Sequence, residues 1–196
     1  MVNVLRVGVL ALQGDFEAHR KALELAGGAE TIEVRTAGDL ASIDGLVIPG
    51  GESTTMLKLL DIENLFEPLR EFGLRKPVFG TCAGAILLAA GVSNPPQASL
   101  GLMDISVERN GYGRQLDSRV TVISPEKEFL RLAGDGDLEA VFIRAPIIRA
   151  VHDGVKVLAR YQDSPVLVEQ GKHMAATFHP ELTRDPRVHR WFLAKL

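Results

Sequence analysis

The chain alternates short apolar, β-branched runs with helical stretches and marks the joins with glycine, and this pattern leaves few folds open. Residues 4–12 form such a run, as expected of a strand covered on both faces. Gln13-Gly14-Asp15 breaks it, and Asp15 is placed to cap a helix over 16–26 that stops at Gly27-Gly28. Strands are predicted at 31–35, 45–49 and 77–79, with helices over 54–60, 62–72 and 85–90. Strand and helix in turn, joined by short Gly-rich connections, is the signature of an α/β fold: a doubly wound, mostly parallel sheet with helices on both faces. From 102 to 144 the pattern changes to short strands, including 104–109 and 140–144, around the turn signals at 110–113 and 134–137. These are expected to add an antiparallel extension to the parallel sheet within one domain spanning 1–196. Further strands are expected at 155–159, 165–169 and 173–178, and a last helix over 186–195.

The only cysteine sits in Gly80-Thr81-Cys82-Ala83-Gly84, between the strand at 77–79 and the helical run after it. Gly-x-Cys-x-Gly at such a junction is the thiol counterpart of the nucleophile elbow. A tight turn needs small residues at its flanks, and it lifts the central side chain above the sheet. The helix starting there aims its unpaired N–H groups at the sulfur, which favours the thiolate. A lone cysteine is otherwise a small buried hydrophobe. A thiolate nucleophile needs a base that later returns a proton, and an imidazole near neutral pKa does both. His179-Pro180-Glu181 follows the apolar strand and offers an imidazole with a carboxylate two residues on. Both segments fall at C-terminal strand ends, where open α/β sheets build their sites. His19, His152, His173 and His189 have no matching partner in sequence and are expected on the surface. Pro49-Gly50-Gly51-Glu52-Ser53 is a third candidate: adjacent glycines let backbone N–H groups approach a ligand, as an oxyanion hole requires. The same residues also suit a plain turn with Ser53 as helix N-cap.

Composition excludes other classes. With 196 residues, 46% hydrophobic, the chain can bury a full core, and a net charge of −3 gives no basic field for nucleic acid or an anionic membrane. One cysteine rules out an internal disulfide and fits a reducing cytoplasm. The N-terminal run lacks a basic segment ahead of it and reads as a core strand, not a signal peptide, and no stretch approaches a membrane span. Cys82, His179 and Glu181 match zinc in donor type, but the paired ligands of structural zinc sites are missing, so no metal and no cofactor is expected.

Taken together, these segments resemble the class I, triad-type glutamine amidotransferases. Gly-Thr-Cys-Ala-Gly with His-Pro-Glu about a hundred residues later is their pattern. Within them the match narrows to the glutaminase subunits of pyridoxal 5′-phosphate synthase. It rests on Val9 to Gly14, Pro49 to Met56, Val107 to Gln115, Phe142 to Pro146 and Phe178 to Thr183. Residues 124–138 depart most freely and are expected to be a loop insertion away from the site. The resemblance implies hydrolysis of L-glutamine to glutamate and ammonia by Cys82, His179 and Glu181. It implies an oxyanion hole from the N–H groups of Gly51 and Ala83. It implies glutamine contacts from Gly51, Glu52, Ser53, Arg109, Ile143 and Arg144, with the arginines suited to the carboxylate and Glu52 to the α-ammonium. It also implies a partner, the barrel-shaped synthase subunit, with Gln13 in a loop facing it. A competing reading is another thiol hydrolase on the same sheet, of peptidase or γ-glutamyl hydrolase type; a module that only binds is the other, against which the intact Cys-His-Glu set argues.

Overall fold

The computed structural model describes residues 4–111 and 118–196. The first half runs β1 (Leu5–Leu10), α1 (Phe16–Ala26), β2 (Ala29–Val34), β3 (Gly45–Ile48), α2 (Ser53–Ile62), α3 (Phe66–Arg75), β4 (Val78–Thr81) and α4 (Ala83–Leu88). There follow β5 (Ala89–Ser93), β6 (Met103–Glu108), β7 (Ser118–Ile123), α5 (Lys127–Ala133), β8 (Leu138–Ile143) and β9 (Ile147–Val151). The chain closes with β10 (Val155–Tyr161), β11 (Ser164–Gln170), β12 (His173–Ala176) and α6 (Arg187–Leu193). The expected turn at 110–113 lies partly outside the described residues.

The main sheet has the order β10-β11-β12-β4-β3-β1-β2. Its five strands from β12 to β2 are parallel, and β11 and β10 extend it antiparallel. Alternate strand residues feed two cores, as a period of two requires. Leu10, Leu46, Ile48, Val78 and Ala175 face the helices α2, α3 and α4. Val9, Val47, Phe79, Met174 and Ala176 face α1, α5 and α6. Helix α1 matches the expected bounds because its ends are locally coded. Asp15 Oδ1 accepts from Ala18 N at 3.0 Å, and Gly27 leaves the helix with φ 77°. Among the described residues no helix is long and apolar enough to cross a membrane.

The middle of the chain departs from expectation. The helical run at 85–90 stops at Leu88, and Ala89 turns extended to start β5, which pairs with β6. Strand pairing there overrides the helix propensity of alanine. The strands between 102 and 144 do not join the parallel sheet. β6 lies between β5 and β9 in a three-stranded sheet that buries Met103, Ile105 and Val107 against the first core, and among the described residues β8 pairs only with β7. The antiparallel extension comes instead from β10 and β11. Residues 124–138 are not a free loop either, since they carry α5. Its Phe129 is fully buried and stacks on Trp191 of α6 at 5.1 Å between ring centroids.

Candidate active site

Strands β3, β4 and β12 are neighbours, so the residues that leave their C-terminal ends converge. The registers Ile48↔Gly80 and Ala176↔Thr81 put Gly50, Cys82 and the segment leading to His179 at one edge of the sheet. Cys82 N–H donates to the Ala176 carbonyl at 2.8 Å, and His179 N–H to the Val141 carbonyl at 2.8 Å, which anchors both turns.

The elbow is built by close backbone approach. Cys82 has φ 49° and ψ −104°, a conformation that a residue with a side chain adopts only under strain. A Cβ on Gly80 would lie 2.5 Å from the Gly84 carbonyl, and one on Gly84 would lie 2.1 Å from the Ile48 carbonyl oxygen. Both glycines are therefore required for α4 to start flush against β4 and the neighbouring β3. The Cys82 thiol lies 3.9 Å from the Ile143 carbonyl, with 6% of the residue exposed. Ala83 is the first residue of α4, so its N–H has no partner within the helix.

His179 is buried, and its Nδ1 lies 2.7 Å from Glu181 Oε1. Its Nε2 makes no hydrogen bond within ordinary distance. Burial works against an imidazolium, but the interactions with Cys82 and with the Glu181 carboxylate outweigh it and raise the His179 pKa to about 10. Burial opposes ionisation of Glu181 as well; the neighbouring His19 and His179 more than offset this and lower its pKa. The sequence reading expected an imidazole near neutrality. The buried carboxylate makes it a stronger base, and the pair favours imidazolium–carboxylate.

The two glycine loops after β1 and β3 meet beside this pair, where the strand order reverses. A Cβ on Gly14 would lie 1.9 Å from the Gly50 carbonyl oxygen, and one on Gly50 would lie 2.4 Å from His179 Cε1. Gly51 has φ 145°, and the Gln13 amide packs so closely that a Cβ there would lie 1.7 Å from it. The Gln13 side-chain oxygen accepts from Glu52 N–H at 3.2 Å. Gln13 is thus half-buried against the Gly51 peptide.

Gly51, Glu52, Ser53, Arg109, Ile143 and Arg144 all line a cleft of about 180 Å³ with Cys82 and His179, and Ile86 and Asn110 complete it. Their commitments differ. Glu52, not Ser53, is the N-cap of α2: its carboxylate accepts from Thr54 N at 3.1 Å and Thr55 N at 2.6 Å. Burial raises its pKa, but the bond from the Thr55 hydroxyl at 2.7 Å and these backbone bonds win and hold it at about 2. Ser53 is buried and donates to Gln97 Oε1 at 2.9 Å. Arg109 Nη2 lies 2.7 Å from Thr54 Oγ1 and 3.3 Å from Glu52 Oε1. Arg144 is exposed at the rim, has φ 44°, and makes no ion pair with the described residues.

Three of the four histidines expected on the surface are buried: His19, His173 and His189. Only His152 is exposed. His19 shares the inward face of α1 with Ala22 and Leu23, a helical spacing that was the available signal. His173 Nδ1 accepts from Val78 N–H at 3.2 Å, and burial, with Lys172 nearby, lowers its pKa to about 4. Among the described residues no group of His, Cys, Asp and Glu is arranged to hold a metal ion.

Residues 9–196 match the SNO glutamine amidotransferase family. The pyridoxal 5′-phosphate synthase subunit PdxT of Solibacter usitatus (strain Ellin6076) is 62% identical over 191 residues, covering 97% of this chain and 99% of the relative. The PdxT of Koribacter versatilis (strain Ellin345) is 56% identical, covering 96% and 94%. A solved structure described as a glutamine amidotransferase superposes with a TM-score of 0.85 at 46% identity, covering 96% of this chain and 97% of that one. Another glutamine amidotransferase, from Thermotoga maritima, shares the fold at a TM-score of 0.59 and 17% identity, covering 98% and 82%.

Proposed function

The chain belongs to the SNO glutamine amidotransferase family, and from that premise we propose that it hydrolyses the side-chain amide of L-glutamine and passes the ammonia to the barrel subunit of a pyridoxal 5′-phosphate synthase. The observation that carries this reading is the convergence of Cys82 and the His179–Glu181 pair on one small cleft. Its volume of about 180 Å³ lies below the range of about 300–1,000 Å³ for drug-sized ligands, which suits a free amino acid better than a peptide. Relatives named as subunits of that synthase, at up to 62% identity in those cited, support the partner. One amidotransferase domain acting in the cytoplasm, with no cofactor of its own, is part of the same reading, and the free thiol of Cys82 suits a reducing compartment.

In this reading the Cys82 thiolate attacks the carboxamide carbon, and the oxyanion is held by the N–H groups of Ala83 and Gly51. His179 gives its proton to the departing ammonia, leaving a γ-glutamyl thioester. It then takes a proton from the water that hydrolyses the thioester, and Glu181 stabilises its charged form throughout. Arg144, uncommitted at the rim, takes the α-carboxylate. Arg109 holds the Glu52 carboxylate in the cleft wall, where it meets the α-ammonium. Ile143, Ser53 and the Gly51 loop complete the contact.

Ammonia release from glutamine, measured with increasing synthase subunit, tests the assignment. Turnover that rises with the partner is expected, and an isolated chain that is fully active and indifferent to it would remove the partner. Arg144→Ala is expected to raise KM for glutamine about tenfold or more while leaving kcat within a few-fold, because it removes a charge-assisted bond made equally in ground and transition states. A KM that does not move would take Arg144 out of the site. Gly50→Ala is expected to reduce kcat by about 10²-fold or more with Cys82 and His179 both intact, since its methyl would meet the imidazole. Near-normal turnover in that variant would show that the ring has room to yield.

A further inference from the structure

Glu181 has two oxygens, and the mechanism above uses one. Oε1 receives His179, while Oε2 makes no hydrogen bond with the described residues and lies 3.4 Å from Nε2 of His19, with both side chains fully buried. That same His19 nitrogen lies 3.0 Å from Thr81 Oγ1, and Thr81 is the residue before Cys82. The other His19 nitrogen, Nδ1, lies 3.0 Å from Nε2 of His189 on α6. One ring from α1 therefore touches the strand that carries the cysteine and the carboxylate that orients the histidine, and a second ring from α6 touches it from the far side.

The proton positions follow from accounting. Burial lowers the pKa of both rings, that of His189 to about 3, so His189 is neutral and carries one proton. His189 Nδ1 is buried without a partner among the described residues. A stranded N–H costs more than a stranded lone pair, so the His189 proton sits on Nε2 and is donated to His19 Nδ1. His19 then carries its single proton on Nε2, between Thr81 Oγ1 and Glu181 Oε2. Donors run in one direction, from His189 to His19 to Thr81 Oγ1, and the same His19 N–H lies 3.4 Å from Glu181 Oε2, the oxygen opposite the one that receives His179.

We propose that His19, oriented by His189, is a positioning residue: it holds the second oxygen of Glu181 so that the first stays aimed at His179, and it ties that aim to the strand bearing Cys82. The inference rests on the glutaminase reading for its kinetic consequence but not for its proton arrangement. Nitrogen NMR of the histidine side chains in the wild-type chain reads that arrangement without any substrate. Nε2–H tautomers are expected for both His19 and His189 at neutral pH, and a proton on Nδ1 of either, or a charged ring, overturns the chain of donors.

The kinetic test compares His19→Leu, His19→Gln and His19→Asn in the complex with the synthase subunit. The leucine variant is expected to lose kcat about tenfold or more, with KM for glutamine within about twofold. The glutamine variant, whose amide N–H reaches the Nε2 position, is expected to recover most of that loss. The asparagine variant, which reaches only the Nδ1 position, is not. A folded leucine variant with wild-type kcat, or equal damage in the glutamine and asparagine variants, overturns the proposal and leaves His19 a packing residue. If the leucine variant does not fold, the glutamine–asparagine difference decides. A wild-type complex that releases no ammonia refutes the glutaminase reading instead, and the tautomers still judge the positioning network.

Discussion

Cys82→Ala is expected to lower kcat for glutamine by about 10⁴–10⁶-fold, since the proposed route has no substitute for the sulfur nucleophile. Cys82→Gly should be as inactive, and the two variants should then separate in stability. Inside a helix or strand glycine is worse than alanine by about 0.5–1 kcal/mol, because it has more freedom to lose, but residue 82 is the cap that precedes α4, where glycine is the better of the two. Residue 82 sits at φ 49° and ψ −104°, where any Cβ is strained and glycine is not. The strain relieved there is about 1–3 kcal/mol, which outweighs the entropy that glycine loses. The glycine variant is expected to melt above the alanine variant. Glutamine turnover and thermal unfolding of the two proteins check both halves. An alanine variant that turns glutamine over at a comparable rate removes Cys82 as nucleophile, and one that melts above the glycine variant removes the strain from the elbow.

That strain also explains why the elbow could be read from sequence. Gly80 and Gly84 are demanded by contacts with backbone atoms, and those contacts recur wherever a helix starts hard against a strand. The requirement is local, so it leaves a fixed spacing. The same holds for His179 and Glu181, two residues apart, and for Gly50-Gly51 after a strand. The bounds of α1 were legible for a similar reason, since a capping aspartate and a terminal glycine code them. What was not legible is set by distant parts of the chain. Residues 85–90 look helical until β6 offers Ala89 a partner. His19 looks like one more polar residue on an amphipathic helix until α6 closes over it and brings His189 within 3.0 Å. In each case the local pattern was compatible with two outcomes, and a tertiary contact chose.

Removing the imidazole and removing its carboxylate should differ in kind as well as degree. His179→Asn loses the acid and the base together and is expected to fall by about 10⁴–10⁶-fold in kcat. Glu181→Gln keeps both and loses orientation and charge, for an expected fall of about 10³–10⁴-fold. The sharper consequence lies in pH. In the native site the pair with Glu181 and the interaction with Cys82 keep His179 protonated up to about 10, against the burial that would otherwise discharge it. With a neutral amide at 181 the burial and the Cys82 interaction remain while the carboxylate's support is gone, so the His179 pKa falls. The alkaline limb of kcat/KM should move down with it. Stability should follow the same sign. A histidine whose folded pKa is raised contributes stability that is fully present below about 6.5 and is lost as pH rises through about 10. The wild-type chain should therefore lose this contribution to Tm between neutral pH and pH 10, while Glu181→Gln, having less of it to lose, should show a flatter profile over the same interval. Unchanged turnover and an unmoved alkaline limb in the docked Glu181→Gln enzyme would take Glu181 out of the triad, and His179 would have to draw its charge from Cys82 alone.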